Sequence, residues 1–262
     1  MGERTGFPEG TPSWVDLMTS DPEGARAFYG GLFGWEMDVS PDPNTGNYTT
    51  ALLRGKRVAG LGGQPNPDGV PTVWSTYFAV DDADKTAAKI REHGGTFLME
   101  PMSVLDSGRM AVAVDPTGAA FGLWQAGTHT GAELVNEPGT QVWNELATRD
   151  LDAATAFYSS VFGLTTEELD SGEGSMRYRT LHVNGKVVGG SLQMDEAWGP
   201  EFPGHWMTYF GVDDTDAAVA TAQELGGQVR VPATDSPHGR FSVLTDPQGG
   251  AFTVIAMLNP DD

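Results

Sequence analysis

No cysteine occurs among the 262 residues. Disulfides, thiolate metal sites and cysteine nucleophiles are therefore excluded. Positive charge is scarce: 15 Lys and Arg face 36 Asp and Glu, a formal net charge of −21. That sign repels phosphate backbones and anionic lipid surfaces, so neither nucleic acid nor a membrane is an expected partner. The acidity reads as solubility, or as a preference for cationic ligands. No apolar run approaches a membrane span, and the opening MGERTGFPEG has no apolar signal core; a cytoplasmic protein is the expectation. A phosphate loop is missing too. Gly60-Leu61-Gly62-Gly63 has no Lys-Ser/Thr after it and sits in a hairpin strand pattern. What remains is a hydrophobic content of 39%, enough for real cores, in a length that suits two domains.

The chain says nearly the same thing twice. GTPSWVDLMTSDPEGARAFYGGLFG (10–34) is matched by GTQVWNELATRDLDAATAFYSSVFG (139–163). Identical pairs include Trp14/Trp143, Leu17/Leu146, Asp21/Asp150, Phe28/Phe157, Tyr29/Tyr158 and Phe33/Phe162. WSTYFAVDD (74–82) likewise matches WMTYFGVDD (206–214). Repetition on this scale means copies of one structural unit.

Within each half the pattern runs strand, helix, strands, and then repeats. A strand is predicted over Trp14–Thr19, a helix over Pro22–Leu32, and strands around Tyr48–Leu53 and Lys56–Gly62. Asp21 is the expected N-cap and Pro22 the first helical residue. Ala25, Phe28, Tyr29 and Leu32 form the helix's apolar face. Asp150 caps the corresponding helix Asp152–Val161. Further helices over Ala83–His93 and Thr215–Leu225 stop at Gly94-Gly95 and Gly226-Gly227, a C-terminal signal. Each half then has an Asp-Pro-x-Gly turn (115–118, 246–249) and an alternating strand, Ala120–Trp124 or Ala251–Ile255. Four units result: 10–64, 73–125, 139–194 and 205–257. Residues 1–9 are an N-terminal extension, 126–138 a linker and 258–262 a C-terminal tail.

With AxxFYxxxFG on the first helix of each half and endings of the type DPxGxxFxLW, the chain resembles the vicinal oxygen chelate superfamily. That family includes glyoxalase I, extradiol dioxygenases and bleomycin-resistance binding proteins. It is most similar to a tandem actinobacterial subgroup labelled hydroxylase-like or glyoxalase-like. The resemblance implies an α+β fold: four βαβββ modules in two tandem domains, 10–125 and 139–257, with curved mixed sheets around cavities. Short connections favour pairing of neighbouring modules, and a monomer or homodimer is compatible with this. In metal-dependent relatives, His, Glu or Gln on the first and last strands of the modules hold a divalent ion. Alignment puts Trp14 and Trp143, Ser75 and Met207, Gly122 and Thr253, and the segments Gly60–Gly62 and Gly189–Ser191 at those positions. None is a good ligand, so no metal or other cofactor is expected. Zn, Ni, Fe or Mn is the alternative.

The candidate functional residues follow from strand alternation. Asp16 and Glu145 lie two residues after the tryptophans, on the same strand face, and would each point into a cavity. They read as hydrogen-bonded structural acids, as ligand-orienting acceptors, or as general bases, since burial raises a carboxyl pKa. Trp14, Trp143, Tyr77 and Tyr209 are core residues or the walls of a site for a planar, apolar ligand. His182 and His205, with Glu145, form a distant His/His/carboxylate set that would suit iron. His129, in the linker, is expected to be solvated. Arg109 and Arg240 are turn residues or contacts to a ligand's carboxylate or phenolate. Three functions stand side by side: small-molecule binding without a metal, a lyase, dioxygenase or hydroxylase-like enzyme, and an interaction protein. Both halves keep the Trp-x-acid strand, so two similar cavities are expected.

Overall fold

The computed structural model describes residues 2–42, 45–64, 71–169, 176–199 and 202–258. Of the expected tail 258–262, only Leu258 lies within the described residues.

Each half builds one eight-stranded mixed sheet. The first half runs β1 (Pro12–Thr19), α1 (Pro22–Phe33), β2 (Glu36–Val39), β3 (Thr49–Leu53), β4 (Lys56–Gly63), β5 (Val73–Ala79), α2 (Ala83–Glu92), β6 (Thr96–Val104), β7 (Gly108–Val114) and β8 (Ala120–Ala126). The second repeats it: β9 (Gln141–Thr148), α3 (Leu151–Phe162), β10 (Thr165–Leu169), β11 (Tyr178–Val183), β12 (Lys186–Gln193), β13 (His205–Gly211), α4 (Thr215–Glu224), β14 (Gln228–Ser236), β15 (Gly239–Thr245) and β16 (Ala251–Met257), with a 3-10 turn at Glu196–Trp198. Strand order is β2-β3-β4-β1-β5-β8-β7-β6 in one sheet and β10-β11-β12-β9-β13-β16-β15-β14 in the other. The α+β class and the neighbour pairing of modules within each sheet match the expectation from sequence.

The local signals act as read. The carboxylates of Asp21, Asp82, Asp150 and Asp214 each accept a backbone N–H of the first helical turn, at 2.9–3.1 Å. Phe33 rather than Leu32 completes the buried face of α1. The short strands β2 and β10 lie in the outer part of their sheets and are almost wholly exposed. Without a buried face they show little apolar alternation, and the sequence gives them no distinct signature.

The cores do not follow the sheets. One apolar cluster joins Phe78, Ile90 and Phe121 of the first half to Phe157, Tyr158 and Trp206 of the second. The other joins Phe28, Tyr29, Phe33 and Trp74 to Phe210, Leu244 and Phe252. Modules therefore pair side by side in the sheets but crosswise in the cores, first with fourth and second with third. Two matching relays stitch this arrangement. Trp74 Nε1 donates to Tyr29 Oη (2.9 Å), which donates to Asp246 Oδ2 (2.9 Å). Trp206 Nε1 donates to Tyr158 Oη (2.8 Å), which donates to Asp115 Oδ2 (3.0 Å). Asp115 and Asp246 are the first residues of the two Asp-Pro-x-Gly turns, so each turn is held by a helix of the other half.

Tyr29→Phe or Tyr158→Phe strands a buried indole N–H and a buried carboxylate oxygen. Each is expected to cost about 1–3 kcal/mol in urea unfolding. A cost indistinguishable from zero in both would refute the stitching role.

Candidate ligand-binding sites

The face of each sheet opposite the helices carries the acids predicted from strand alternation. On β1, Asp16 stands opposite Gly60 of β4 and Ser75 of β5. Tyr48 Oη (3.2 Å) and Tyr77 Oη (3.3 Å) both donate to its Oδ2, and Trp14 Nε1 donates to Tyr48 Oη (3.0 Å). On β9, Glu145 stands opposite Gly190 of β12 and Met207 of β13. Tyr178 donates to one carboxylate oxygen and Tyr209 to the other, each at 2.7 Å, and Trp143 Nε1 donates to Tyr178 Oη (3.1 Å). The structure thus brings together Trp14, Asp16 and Tyr77 in one site and Trp143, Glu145 and Tyr209 in the other. The longer glutamate side chain lets both oxygens find a phenol, whereas Asp16 Oδ1 is buried without a partner.

Burial raises the Asp16 pKa to about 7, against the opposing pull of the two phenols. It raises Glu145 as well, again opposed by its two tyrosines. Burial and the adjacent carboxylate keep Tyr48, Tyr77, Tyr178 and Tyr209 protonated. These phenols act as neutral donors.

Tyr48 and Tyr178 were not among the residues singled out from sequence. Their signal was available, because, at the start of matched strands, they stand 130 positions apart. So do Gly60 and Gly190, where a Cβ would fall 1.9 Å from the Tyr48 and Tyr178 hydroxyls respectively. Bare backbone at these two strand positions makes room for the phenol.

The two sites differ in what covers them, contrary to the expectation of similar cavities. Trp14 and Tyr77 are buried with Trp124, Ala132 and Val135, and Phe7, Val104 and Met110 pack against them. Linker residues thus fill the first cavity. Ala132 N–H donates to Ser13 O (2.8 Å) and Glu133 N–H to Arg57 O (2.7 Å), while Glu3 of the N-terminal extension bridges to Leu134. His129 is not solvated. Its ring meets Trp14 edge-on at 4.4 Å and Trp124 at 5.3 Å. Burial and the Arg57 charge push its pKa down to about 4. A pocket of about 230 Å³ beside this plug is lined by Phe7, Val80, Asp81, Trp124 and Thr130 and does not reach Asp16. In the second site, Trp143, Glu145, Tyr178 and Tyr209 all stay partly exposed.

The remaining candidates lie elsewhere. Arg109 forms an ion pair with Asp84 of α2 (2.9 Å), and Arg240 with Asp216 of α4 (2.8 Å) and Asp235 (2.9 Å). Both tie strands to helices instead of reaching a cavity. His182 bonds Thr180 Oγ1 (2.8 Å) four residues along β11 from Tyr178. His205 bonds Pro203 O (3.0 Å) at the start of β13, with Trp198 6.0 Å away. Neither histidine is hydrogen-bonded to Glu145, and these three residues do not form a group that could hold a metal ion.

The profile of the Glyoxalase/Bleomycin resistance protein/Dioxygenase superfamily matches residues 11–123 and 140–254. The chain belongs to this superfamily. CFP32 of Mycobacterium tuberculosis, which bears a provisional glyoxylase name, is 46% identical over 97% of this chain and 98% of its own. DnrV of Streptomyces peucetius, named an anthracycline biosynthesis protein, is 39% identical over 97% of this chain and 95% of its own. Among solved structures, the 2,3-dioxygenase LapB of Pseudomonas sp. KL28 shares the fold at a TM-score of 0.65 and 14% identity, over 94% of this chain and 91% of that one. An Mn(II)-bound glyoxalase of Novosphingobium aromaticivorans does so at 0.64 and 16%, over 94% and 82%.

Members of the superfamily that hold a divalent metal converge several oxygen or nitrogen donors on it. Here the donor set does not fit. Each site offers one carboxylate, and both neighbouring phenols spend their protons on it. The adjoining positions are Gly60, Ser75 and Gly122, or Gly190, Met207 and Thr253. Among the described residues no group of three His, Cys, Asp or Glu side chains could hold a metal ion.

An acid whose folded pKa lies above its unfolded value takes up its proton on folding. Asp16 therefore makes stability fall as pH rises from about 4, its unfolded value, to about 7. The cost at higher pH has an upper bound of roughly 4 kcal/mol. Asp16→Asn is expected to flatten this part of the pH–stability curve relative to the parent chain in urea unfolding. Parallel curves would show that Asp16 ionises normally.

Proposed function

We propose that the chain binds a small, planar, largely apolar molecule on the inner face of the second sheet, without a metal ion. The observation that carries this reading is the contrast between two otherwise matched sites. In the first, the indole, the acid and Tyr77 are covered by the chain itself, while Tyr48 stays partly exposed. In the second, the same groups are presented partly open. Trp143, Tyr178 and Tyr209 supply flat apolar surface, and Glu145 supplies an orienting acceptor, which suits a site of few polar contacts on an aromatic lining.

A second reading is favoured by the raised pKa of Glu145. A carboxyl poised closer to neutrality can move a proton to or from a bound substrate. On that reading the protein is a cofactor-free proton-transfer enzyme using the same site. Glu145→Gln would then abolish turnover while leaving binding in place.

The test is a titration of tryptophan fluorescence with neutral planar aromatics. Trp143→Ala and Gly190→Val, the latter displacing Tyr178, are expected to weaken binding by about tenfold or more, the range of a lost aromatic contact. Asp16→Asn is expected to leave it unchanged. Equal loss from the Asp16 variant would move the site to the first cavity. Elemental analysis after incubation with Zn, Ni, Fe(II) and Mn is expected to show substoichiometric metal, and one tightly held ion per chain would overturn the metal-free reading.

A further inference from the structure

We propose that the ligand of the second site carries a positive charge: a planar arene bearing an alkylammonium group, held by Glu145 and flanked by Trp143, Tyr178 and Tyr209. This inference rests on the binding reading above and narrows it to a chemical class.

The argument starts from what Glu145 has and lacks. Each of its oxygens accepts one phenol, from Tyr178 on β11 and Tyr209 on β13. A carboxylate has about four acceptor positions, so about two stay free. Both phenols are neutral, and no cation among the described residues pairs with Glu145. Four of the five arginines of this half are spent elsewhere, and the fifth, Arg230 on β14, is exposed and forms no ion pair with Glu145. Arg177 and Arg179 bind Asp152 and Glu168, and Arg240 binds Asp216 and Asp235. Arg149 donates to the backbone oxygens of Gly199 and Phe202. From the remaining elements, β13 contributes uncharged Met207 opposite the acid, β12 contributes Gly190, and the β14–β15 turn contributes the exposed His238, whose charge when protonated favours the carboxylate.

A carboxylate partly withdrawn from water and without a counter-ion carries a cost, and a ligand that supplies the cation lowers it. An anionic ligand would add to it, since no guanidinium pairs with Glu145. A neutral donor fills a lone pair but leaves the charge uncompensated. The surrounding rings add to the preference, because their faces attract an ammonium. The net charge of −21 raises the local concentration of cations.

Three probes of one shape test this on the full chain: aminomethyl-anthracene, hydroxymethyl-anthracene and anthracene carboxylate, cationic, neutral and anionic at neutral pH. We expect the cation to bind about tenfold tighter than the neutral probe and the anion weakest. The difference should persist in 0.5 M salt, which screens the diffuse field to within about 4 Å. Glu145→Gln should erase it, and Asp16→Asn should not. Equal binding of cation and neutral probe, weakened alike by Trp143→Ala, would overturn the charge preference and leave the planar-ligand reading standing. A preference that vanishes in salt or survives Glu145→Gln would also overturn it, assigning the effect to overall acidity. Binding of no probe would overturn both readings.

Discussion

Tyr29 and Tyr158 each take a hydrogen bond from an indole of their own half and give one to an aspartate of the other half. Everything else in the molecule depends on this pair of relays. The acceptors, Asp246 and Asp115, are buried and accept backbone N–H groups of their own turns as well. Turn geometry, helix position and the packing of one sheet against the other are thereby coupled. A buried donor or acceptor left unpaired costs more than a formed bond gains, so a relay of this kind fixes one arrangement of the halves more than it adds stability. Its consequence is that neither half owns its core. Each apolar cluster takes residues from both, and the helices lie in the shared layer. The helix-bearing faces are consumed by this packing, which leaves the opposite face of each sheet available for a site.

On those free faces duplication and divergence can be compared directly. The same five-residue arrangement stands on both: an indole donating to a phenol, that phenol donating to an acid, a second phenol on the neighbouring strand, and a glycine that clears space for the first phenol. What separates the two is the cover. The chain that connects the halves passes across the first site and packs His129, Ala132 and Val135 against the aromatic wall. That segment is fastened at both margins by backbone hydrogen bonds and by Arg57–Glu133. The first site thereby becomes part of the hydrophobic interior, with an acid and a histidine whose pKa values are both displaced in the direction that burial dictates. The second keeps its polar and aromatic groups at a partly wet surface.

Membership of the superfamily settles the scaffold and leaves the chemistry to the site. The relatives and neighbours carry names as different as glyoxylase, anthracycline biosynthesis protein and dioxygenase. In this chain the positions beside the two acids and their phenols are filled by glycine, serine, methionine and threonine, and among the described residues no group of three His, Cys, Asp or Glu side chains could hold a metal ion. Asp16 and Glu145 are each engaged by two phenols.

Much of this was written in the sequence. The repeat determined four modules and two sheets, because copies of one local pattern of caps, turns and apolar periods fold alike wherever they occur. Strand alternation determined that Trp14 and Asp16, or Trp143 and Glu145, share a face, since period two is a property of the extended backbone alone. The spacing of Tyr48 from Tyr178, and of Gly60 from Gly190, was legible too, although their roles were not. Tertiary structure decided the rest. Which phenol reaches which acid depends on register between strands, and which core each helix enters depends on packing across the halves. Arg109, Arg240 and His129 had no sufficient local signal for their surroundings, because Asp84, Asp216 and Trp14, which they meet, lie tens of residues away. The difference between a covered and an open site came from the path of a linker without periodicity, whose position is set only by the surface it is packed against.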